Sequence, residues 1–392
     1  MNPSPLITIV LSLIIILILS RKNLWGAIFI GGIILALGAN QPIIILVSST
    51  RKMLHPNILI LAVALAEIPV IGKTLEKDIQ QVFEAIDKRK ATILGPSIFG
   101  LLPIPGGAIL SCPIIDNVMD NKNVYEKVAC NIWFRHILFI IYPLSSSLIV
   151  ATTIAQLNIL EVIPFYIPVF LIALAIGWIF YLKGLESKPT GSSIRIHDLI
   201  PLLLIFMAPV IQISLNIIGI HVNIATFVSV SIVLALSITY TKISLRDLSF
   251  LARKMKIWNF SLILLSLIFY TETFRLTSTN IIGKLKFGLL LLLFVFPFIL
   301  GFLTGRVQLA ASLVLPIALL EFGSVSIGMF IAIFSSALSG YLMSPAHPCL
   351  VLSAKYFECD ISGVIKKLLI PSSLFAIISL VYGLLLDMLI AC

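Results

Sequence analysis

Charge is scarce in this chain: Asp, Glu, Lys and Arg make up 11% of its 392 residues, against 59% hydrophobic ones. No stretch between the apolar runs has room for a soluble domain, and the mean hydropathy of +1.14 lies far outside soluble averages. The composition is that of a polytopic membrane protein. No G-x-x-x-x-G-K-[ST] loop occurs, so ATP-driven transport by this chain alone is not expected. The five cysteines, Cys112, Cys130, Cys349, Cys359 and Cys392, include no C-x-x-C pair and no accompanying ligand set. Their spacing indicates neither a metal centre nor a disulfide framework. Catalytic signatures are also missing: the one local Ser-x-x-His pairing, Ser344 with His347, is thin support for an intramembrane hydrolase, and no enzyme activity is expected.

What the chain has in quantity is apolar runs of spanning length. Residues 4–20, 25–48, 158–182, 199–219, 222–241 and 368–390 each approach the roughly 20 residues that a bilayer core requires. The first lacks a basic n-region and is followed by Arg21-Lys22, the reverse of a secretory signal, so it reads as a transmembrane helix. The formal charge of +10 is then loop charge that sets orientation, and the partner it implies is the lipid bilayer rather than nucleic acid.

One such run is heavily interrupted. Residues 95–110 read GPSIFGLLPIPGGAIL, with Pro96, Pro103, Pro105, Gly106 and Gly107 in a segment that proline and glycine make a poor continuous helix. Similar punctuation returns about 200 residues later, as expected of a duplicated chain. GLLPIPGGAILSCPII begins at Gly100 and GFLTGRVQLAASLVLPI at Gly301; Tyr142-Pro143 and Ser344-Pro345 then break the apolar segment that follows each. Reading residues 92–117 and 287–320 as re-entrant hairpins, with both termini outside and about ten spanning helices, puts most of the 27 lysines and arginines in the cytoplasm. Only Arg51, Lys52, Arg275, Lys284 and Lys286 fall outside, while Arg135 and Arg306 lie within the membrane. Letting the first hairpin segment span, alone or together with the second, destroys that bias. Twelve residues of helix rise about 18 Å, so the PIPGG turn would sit near mid-membrane, where irregular backbone survives only against protein or a water-filled cavity.

The expected fold is therefore all-α, with two inverted repeats. Residues 1–183 form the first, with hairpin 92–117 and broken helix 128–150; residues 184–198 form a cytoplasmic linker. Residues 199–392 form the second, with hairpin 287–320 and broken helix 325–357. Residues 74–90, with apolar Leu75, Ile79, Val82, Phe83 and Ile86 at spacings of three and four, read as an amphipathic helix on the cytoplasmic interface.

GLLPIPGGAILSCPIIDN (100–117), NIWFRHILFIIYPLSSS (131–147) and GYLMSPAHPCLVLSAKYF (340–357) resemble the motifs of an uncharacterised integral membrane family, domain of unknown function 401. That family is grouped with the ion transporter superfamily of gluconate, lactate, citrate and dicarboxylate permeases. The resemblance implies inverted repeats with re-entrant hairpins, often in a homodimer of the cell membrane, moving anions with Na⁺ or H⁺. It names no substrate. Arg306 and Gln308 depart from the small, neutral tip that relatives usually carry.

Ionisable groups inside the membrane cost at least about 2.5–3.5 kcal/mol and mark chemistry. Arg306 at the second tip, beside Thr304, Gly305 and Gln308, can grip a carboxylate through two parallel hydrogen bonds, unless it pairs with Glu272 or Glu321. Pro105, Gly106 and Gly107 form the corresponding first tip. Arg135 is a weaker candidate, because its depth lets it snorkel to the cytoplasmic face. Ser344 and His347 occupy the second break, and His136, Glu67 and His347 are candidate proton carriers. Na⁺ as the coupling ion would need only unwound carbonyls with Ser145, Ser146, Thr304 or Ser344; no other cofactor is expected. The reading is a secondary active transporter of a small organic anion, with a passive anion channel as its alternative.

Overall fold

The computed structural model describes residues 5–85, 88–102, 106–185, 196–285 and 288–391. Within them every regular element is helical. In chain order these are α1 (Pro5–Leu19), α2 (Leu24–Leu37), α3 (Pro42–Met53), α4 (Pro56–Ala85), α5 (Lys88–Leu101) and α6 (Gly107–Val118). Then come α7 (Val124–Ile137), α8 (Ser146–Ala155), α9 (Ile159–Gly177), α10 (Ile200–Ile217), α11 (Val222–Thr241) and α12 (Leu245–Met255). The chain closes with α13 (Trp258–Leu285), α14 (Phe296–Thr304), α15 (Val307–Phe322), α16 (Ile327–Leu342), α17 (Pro348–Tyr356) and α18 (Ile361–Ala391).

Six helical stretches among the described residues are long and apolar enough to cross a membrane: Pro56–Phe83, Ile159–Leu182, Ile200–Ile217, Val222–Thr241, Trp258–Thr277 and Ile361–Ile390. Their outer faces are greasy, as at Ile217, Leu203, Leu385 and Leu389, all exposed. A chain that leaves such residues uncovered needs hydrocarbon around it, and the protein is a membrane-embedded helical protein.

Proline and glycine set the interruptions. α7 ends in a 3₁₀ turn at Leu138–Ile140, and Pro143 keeps the chain out of helix until Ser146. Between α16 and α17, residues 343–347 are non-helical around Pro345, and Pro348 opens α17. α5 and α6 are separate helices; Gly106, in the left-handed region at φ 79°, precedes α6. α14 and α15 are likewise parted, at Gly305 with φ 61°.

Two expectations change. The run 25–48 is not one helix: α2 and α3 are parted at residues 38–41, before Pro42, so it supplies two short helices. Residues 74–85 do not lie separately on an interface, because α4 continues through them. Leu75, Ile79, Val82 and Phe83 are buried in protein, with Phe83 against Phe99 at 5.9 Å. The stripe that suggested a lipid surface is a core face. Pro105 and residues 186–195 of the expected linker lie outside the described residues.

The two halves of the chain interlock. α17 packs on α6 and α7, α8 on α15, and α18 on α7, α9 and α16. Close crossings hold each broken region together: α5 meets α7 at Gly100, and α14 meets α16 at Gly301 and Gly340. Side chains add to these crossings. Ser97 Oγ donates to Phe134 O at 2.8 Å, and Ser336 and Ser344 donate to Phe294 O and Phe302 O at 3.0 and 2.5 Å. Small residues that let backbones touch are the usual means of helix association where lipid removes the hydrophobic drive.

Candidate functional site

The interruptions converge. A cavity of about 210 Å³ is lined by Gly100–Leu102 at the end of α5, Ser145–Ser147 at the start of α8, Gly305–Gln308 between α14 and α15, and Pro348–Cys349 at the start of α17. Arg135, His136, Phe139, Phe260 and Tyr341 complete the wall. Residues far apart in sequence, from both halves, therefore share one chamber.

Helix starts facing this chamber lack side-chain caps, as do those of α3, α10 and α14, whereas six others are capped. α2, α7, α9, α11, α12 and α16 begin with a side chain that accepts a backbone N–H: Asn23, Asn123, Asn158, His221, Ser244 and Ser326. The N-cap residues of α8, α15 and α17 are Ser145, Arg306 and His347, and none makes a side-chain cap bond. The first turns of these helices, whose backbone N–H groups (Pro348 has none) and positive dipole ends lie at the cavity wall, form the arrangement that receives an anion.

Two guanidinium groups join them. Arg135 is 4% exposed, and its Nη1 donates to Gly107 O at 3.0 Å, the bond that ties α7 to the start of α6. It does not snorkel; its head group is held inside the protein. Arg306, half-buried, makes no side-chain hydrogen bond or ion pair among the described residues. Its expected partners are otherwise engaged or idle: Glu272 pairs with Arg275 at 2.6 Å, and Glu321 Oε2 is buried without a bond. Among the described residues, no carboxylate lines the cavity.

Magnitudes show what this arrangement lacks. A guanidinium in hydrocarbon costs at least about 2.5–3.5 kcal/mol. A charge-assisted bond to one carbonyl returns about 1.5–3, and Arg306 lacks even that. Five N–H donors per guanidinium leave most of the binding capacity unspent.

Beside the arginines lies an aromatic and imidazole cluster. His136 Nδ1 lies 2.7 Å from Ile132 O; a carbonyl only accepts, so Nδ1 carries the proton and Nε2 is the acceptor. Tyr341 Oη sits 3.1 Å from that Nε2 and donates to it. The Tyr341 ring lies 3.9 Å from the His347 ring, and the two imidazoles are 4.8 Å apart between centroids. His347 is fully buried, and neither of its ring nitrogens has a partner.

Of the residues singled out from sequence, Arg135, His136, Ser145, Ser146, Gly305, Arg306 and Gln308 line the cavity. Gly107 and His347 touch its wall through Arg135 and Tyr341. Ser344 and Thr304 instead serve the backbone: Ser344 Oγ binds Phe302 O and receives Ala346 N, while Thr304 Oγ1 binds Leu300 O at 2.7 Å. Glu67 lies elsewhere, accepting from Ser231 Oγ at 2.9 Å between α4 and α11. Tyr341, Cys349, Ser147 and Phe260 escaped the sequence reading, although Tyr341 and Cys349 sit inside the quoted GYLMSPAHPC stretch. Asn131 did too: it bonds Ser111 Oγ, Ala108 O and Ser353 Oγ at 2.6–3.2 Å, joining α6, α7 and α17 behind the site.

A second hollow, of about 550 Å³, adjoins the first and shares Phe260 and Arg306 with it. Lys22, Lys256, Asn23, Trp25 and Trp258 line it, giving a basic mouth that leads to Arg306.

Comparison with curated proteins finds no match. The profile of the family described as "Protein of unknown function (DUF401)" matches residues 3–385, nearly the whole chain. The chain belongs to that family.

Proposed function

We propose that this protein is a secondary active transporter of a small organic anion, a mono- or dicarboxylate, coupled to Na⁺ or H⁺ and working by alternating access. The observation that carries the reading is the cavity with two unneutralised arginines, three uncapped helix starts and no carboxylate. Its modest volume suits a compact solute rather than a drug-sized one. Both halves contribute equivalent breaks to it, which supports a duplicated, inverted-repeat chain with re-entrant hairpins and a site at the repeat interface. On this reading the count rises to about ten spanning helices, because the shorter apolar helices Ile7–Leu19 and Leu24–Leu37 and the two broken helices, 128–150 and 325–357, join the six long ones. Both termini then face outward from the cell membrane, and the basic mouth at Lys22 and Lys256 opens to the cytoplasm. The homodimer and the relation to the ion transporter superfamily belong to the same proposal.

A thermal-shift screen of purified protein against mono-, di- and tricarboxylates, with Na⁺ and pH varied, tests it, followed by uptake into proteoliposomes. The reading expects a carboxylate hit and saturable uptake that needs an ion gradient. Uptake without saturation or gradient dependence would make the protein a channel. Cysteine placed at Lys52 should label from outside, and at Lys122 or Lys254 from the cytoplasm; the same side for positions 52 and 122 overturns the topology.

A further inference from the structure

Two histidines and a cysteine from two elements far apart in sequence, α7 and α17, come together where sequence spacing shows no ligand set. One ligand atom from each of His136, His347 and Cys349 can be chosen so that all three lie within 4.8 Å of one another. His136 lies in the last turn of α7, His347 is the N-cap residue of α17, and Cys349 is the second residue of α17. We propose that this triad binds a borderline-soft transition metal ion of the Zn²⁺ type, through His136 Nε2, one ring nitrogen of His347 and Cys349 Sγ, with a fourth position open to the cavity.

Three observations support it beyond proximity. First, His136 is in the tautomer a metal wants: Nδ1–H is anchored on Ile132 O, which fixes the ring and leaves the Nε2 lone pair facing the cluster. Second, His347 is fully buried with both ring nitrogens unbonded, a costly state for a polar group that a metal bond would relieve. Third, the donor set is two imidazoles and a thiol, with no carboxylate in the lining. That set disfavours Mg²⁺ and Ca²⁺, which take oxygen ligands, and favours Zn²⁺.

Geometry sets the required movement. Zn–N of about 2.0–2.1 Å and Zn–S of about 2.3 Å at tetrahedral angles put ligand atoms about 3.4–3.6 Å apart, so the triad must contract by about 1 Å. The irregular residues 343–347 that carry His347 are the part of the wall without a helical ladder to hold it. Tyr341 Oη, the present occupant of the His136 lone pair, must yield it.

Charge decides what would complete the site. On binding, the Cys349 thiol gives its proton to solvent and the thiolate remains, so a dication with two neutral imidazoles leaves a net single positive charge. Arg135 and Arg306 line the same chamber and add to it. An anion is the natural fourth ligand. Only that last point rests on the anion reading; the metal site stands without it.

The test uses full-length protein in detergent, stripped with chelator and titrated with Co²⁺ alone. Bound Co²⁺ should give a thiolate charge-transfer band and tetrahedral visible bands, saturating at one ion per chain and displaced by Zn²⁺. Cys349→Ser should remove the charge-transfer band, and His347→Gln should weaken binding about 10-fold or more. Cys359→Ser, on a cysteine outside the cavity, should leave the spectrum unchanged. Size-exclusion profiles confirm that each variant is folded. Absence of the bands in the parent, or their persistence in both Cys349→Ser and His347→Gln, overturns the site. Because no carboxylate enters the titration, either result leaves the anion proposal to its own screen.

Discussion

The two broken regions of the molecule are built alike and equipped differently. In each, a short helix crosses a broken one so closely that a glycine lies on a partner carbonyl: Gly100 on Arg135 O, Gly301 on Ala337 O. The charges, however, sit at non-corresponding places. The first region carries its arginine on the broken helix, at Arg135, and its turn ends in uncharged Gly106 and Gly107. The second carries its arginine at the turn, and its broken helix offers Tyr341 instead. The two broken regions thus supply similar frames that place two cations at non-corresponding positions around one cavity. On the proposed reading, an anion held between them has one preferred orientation.

The frames can be broken first, and with the largest effect. A Cβ at Gly100 would lie 1.7 Å from Arg135 O, and one at Gly301 would lie 2.2 Å from Ala337 O, in each case against backbone that no rotamer change relieves. Gly100→Ala and Gly301→Ala should each cost upwards of about 3 kcal/mol, the upper end of overpacking penalties. Gly100→Ala should be the worse. Thermal unfolding of both variants checks this; a Gly100→Ala protein as stable as the parent would show that α5 and α7 do not cross this closely.

The cations come next. Arg306→Lys should weaken carboxylate binding by about 1–3 kcal/mol, since a point charge replaces a two-pronged donor. Arg135→Lys should do at least as much, because it also loses the anchor on Gly107 O. Calorimetry on the carboxylate returned by the screen measures both. Equal affinity in both variants and parent would remove the arginines from the site.

A smaller difference separates the turns. Gly305, at φ 61°, would set a Cβ 2.6 Å from the carbonyl carbon of Ala346, so the second turn is clamped against residues 346–347. Gly106, at φ 79°, has nothing within 4 Å of its added Cβ. Gly106→Ala should therefore pay only the left-handed backbone cost of about 1–2 kcal/mol, and Gly305→Ala that cost plus the clash. Unfolding temperatures that fall equally would mean that the two turns are packed alike.

Much of this plan is legible along the chain, because proline and glycine act locally. Pro143, Pro345, Gly106 and Gly305 mark the interruptions wherever the rest of the protein lies, so helix ends at 137, 342 and 304 follow from short stretches. Amphipathic stripes are less decisive: Leu75, Ile79 and Val82 have the same spacing whether lipid or protein covers them, and protein does. The least legible features are those made by juxtaposition. Nothing in the spacing of His136, His347 and Cys349 brings them together; α7 and α17 do so by packing. Arg135 reads as a snorkelling residue by depth alone, and only the position of Gly107 O explains why its head group stays inside.

Glu67 gives the smallest expected effect and the cleanest limit on where the site ends. As the one carboxylate well inside an early span, it is a natural proton carrier by sequence. In the fold its Oε2 accepts from Ser231 Oγ at 2.9 Å on α11, and it lines neither the cavity nor its basic mouth. Glutamine keeps an acceptor oxygen in the same place, so Glu67→Gln should change stability and carboxylate affinity by no more than about 0.5 kcal/mol, the range for substitutions away from special features. A proton-coupled cycle would then not run through α4. The check is uptake driven by a pH gradient in parent and variant proteoliposomes. Gradient-driven uptake lost in Glu67→Gln while carboxylate binding persists would assign the proton to α4 and extend the working site from the interface of the broken regions to the α4–α11 pair.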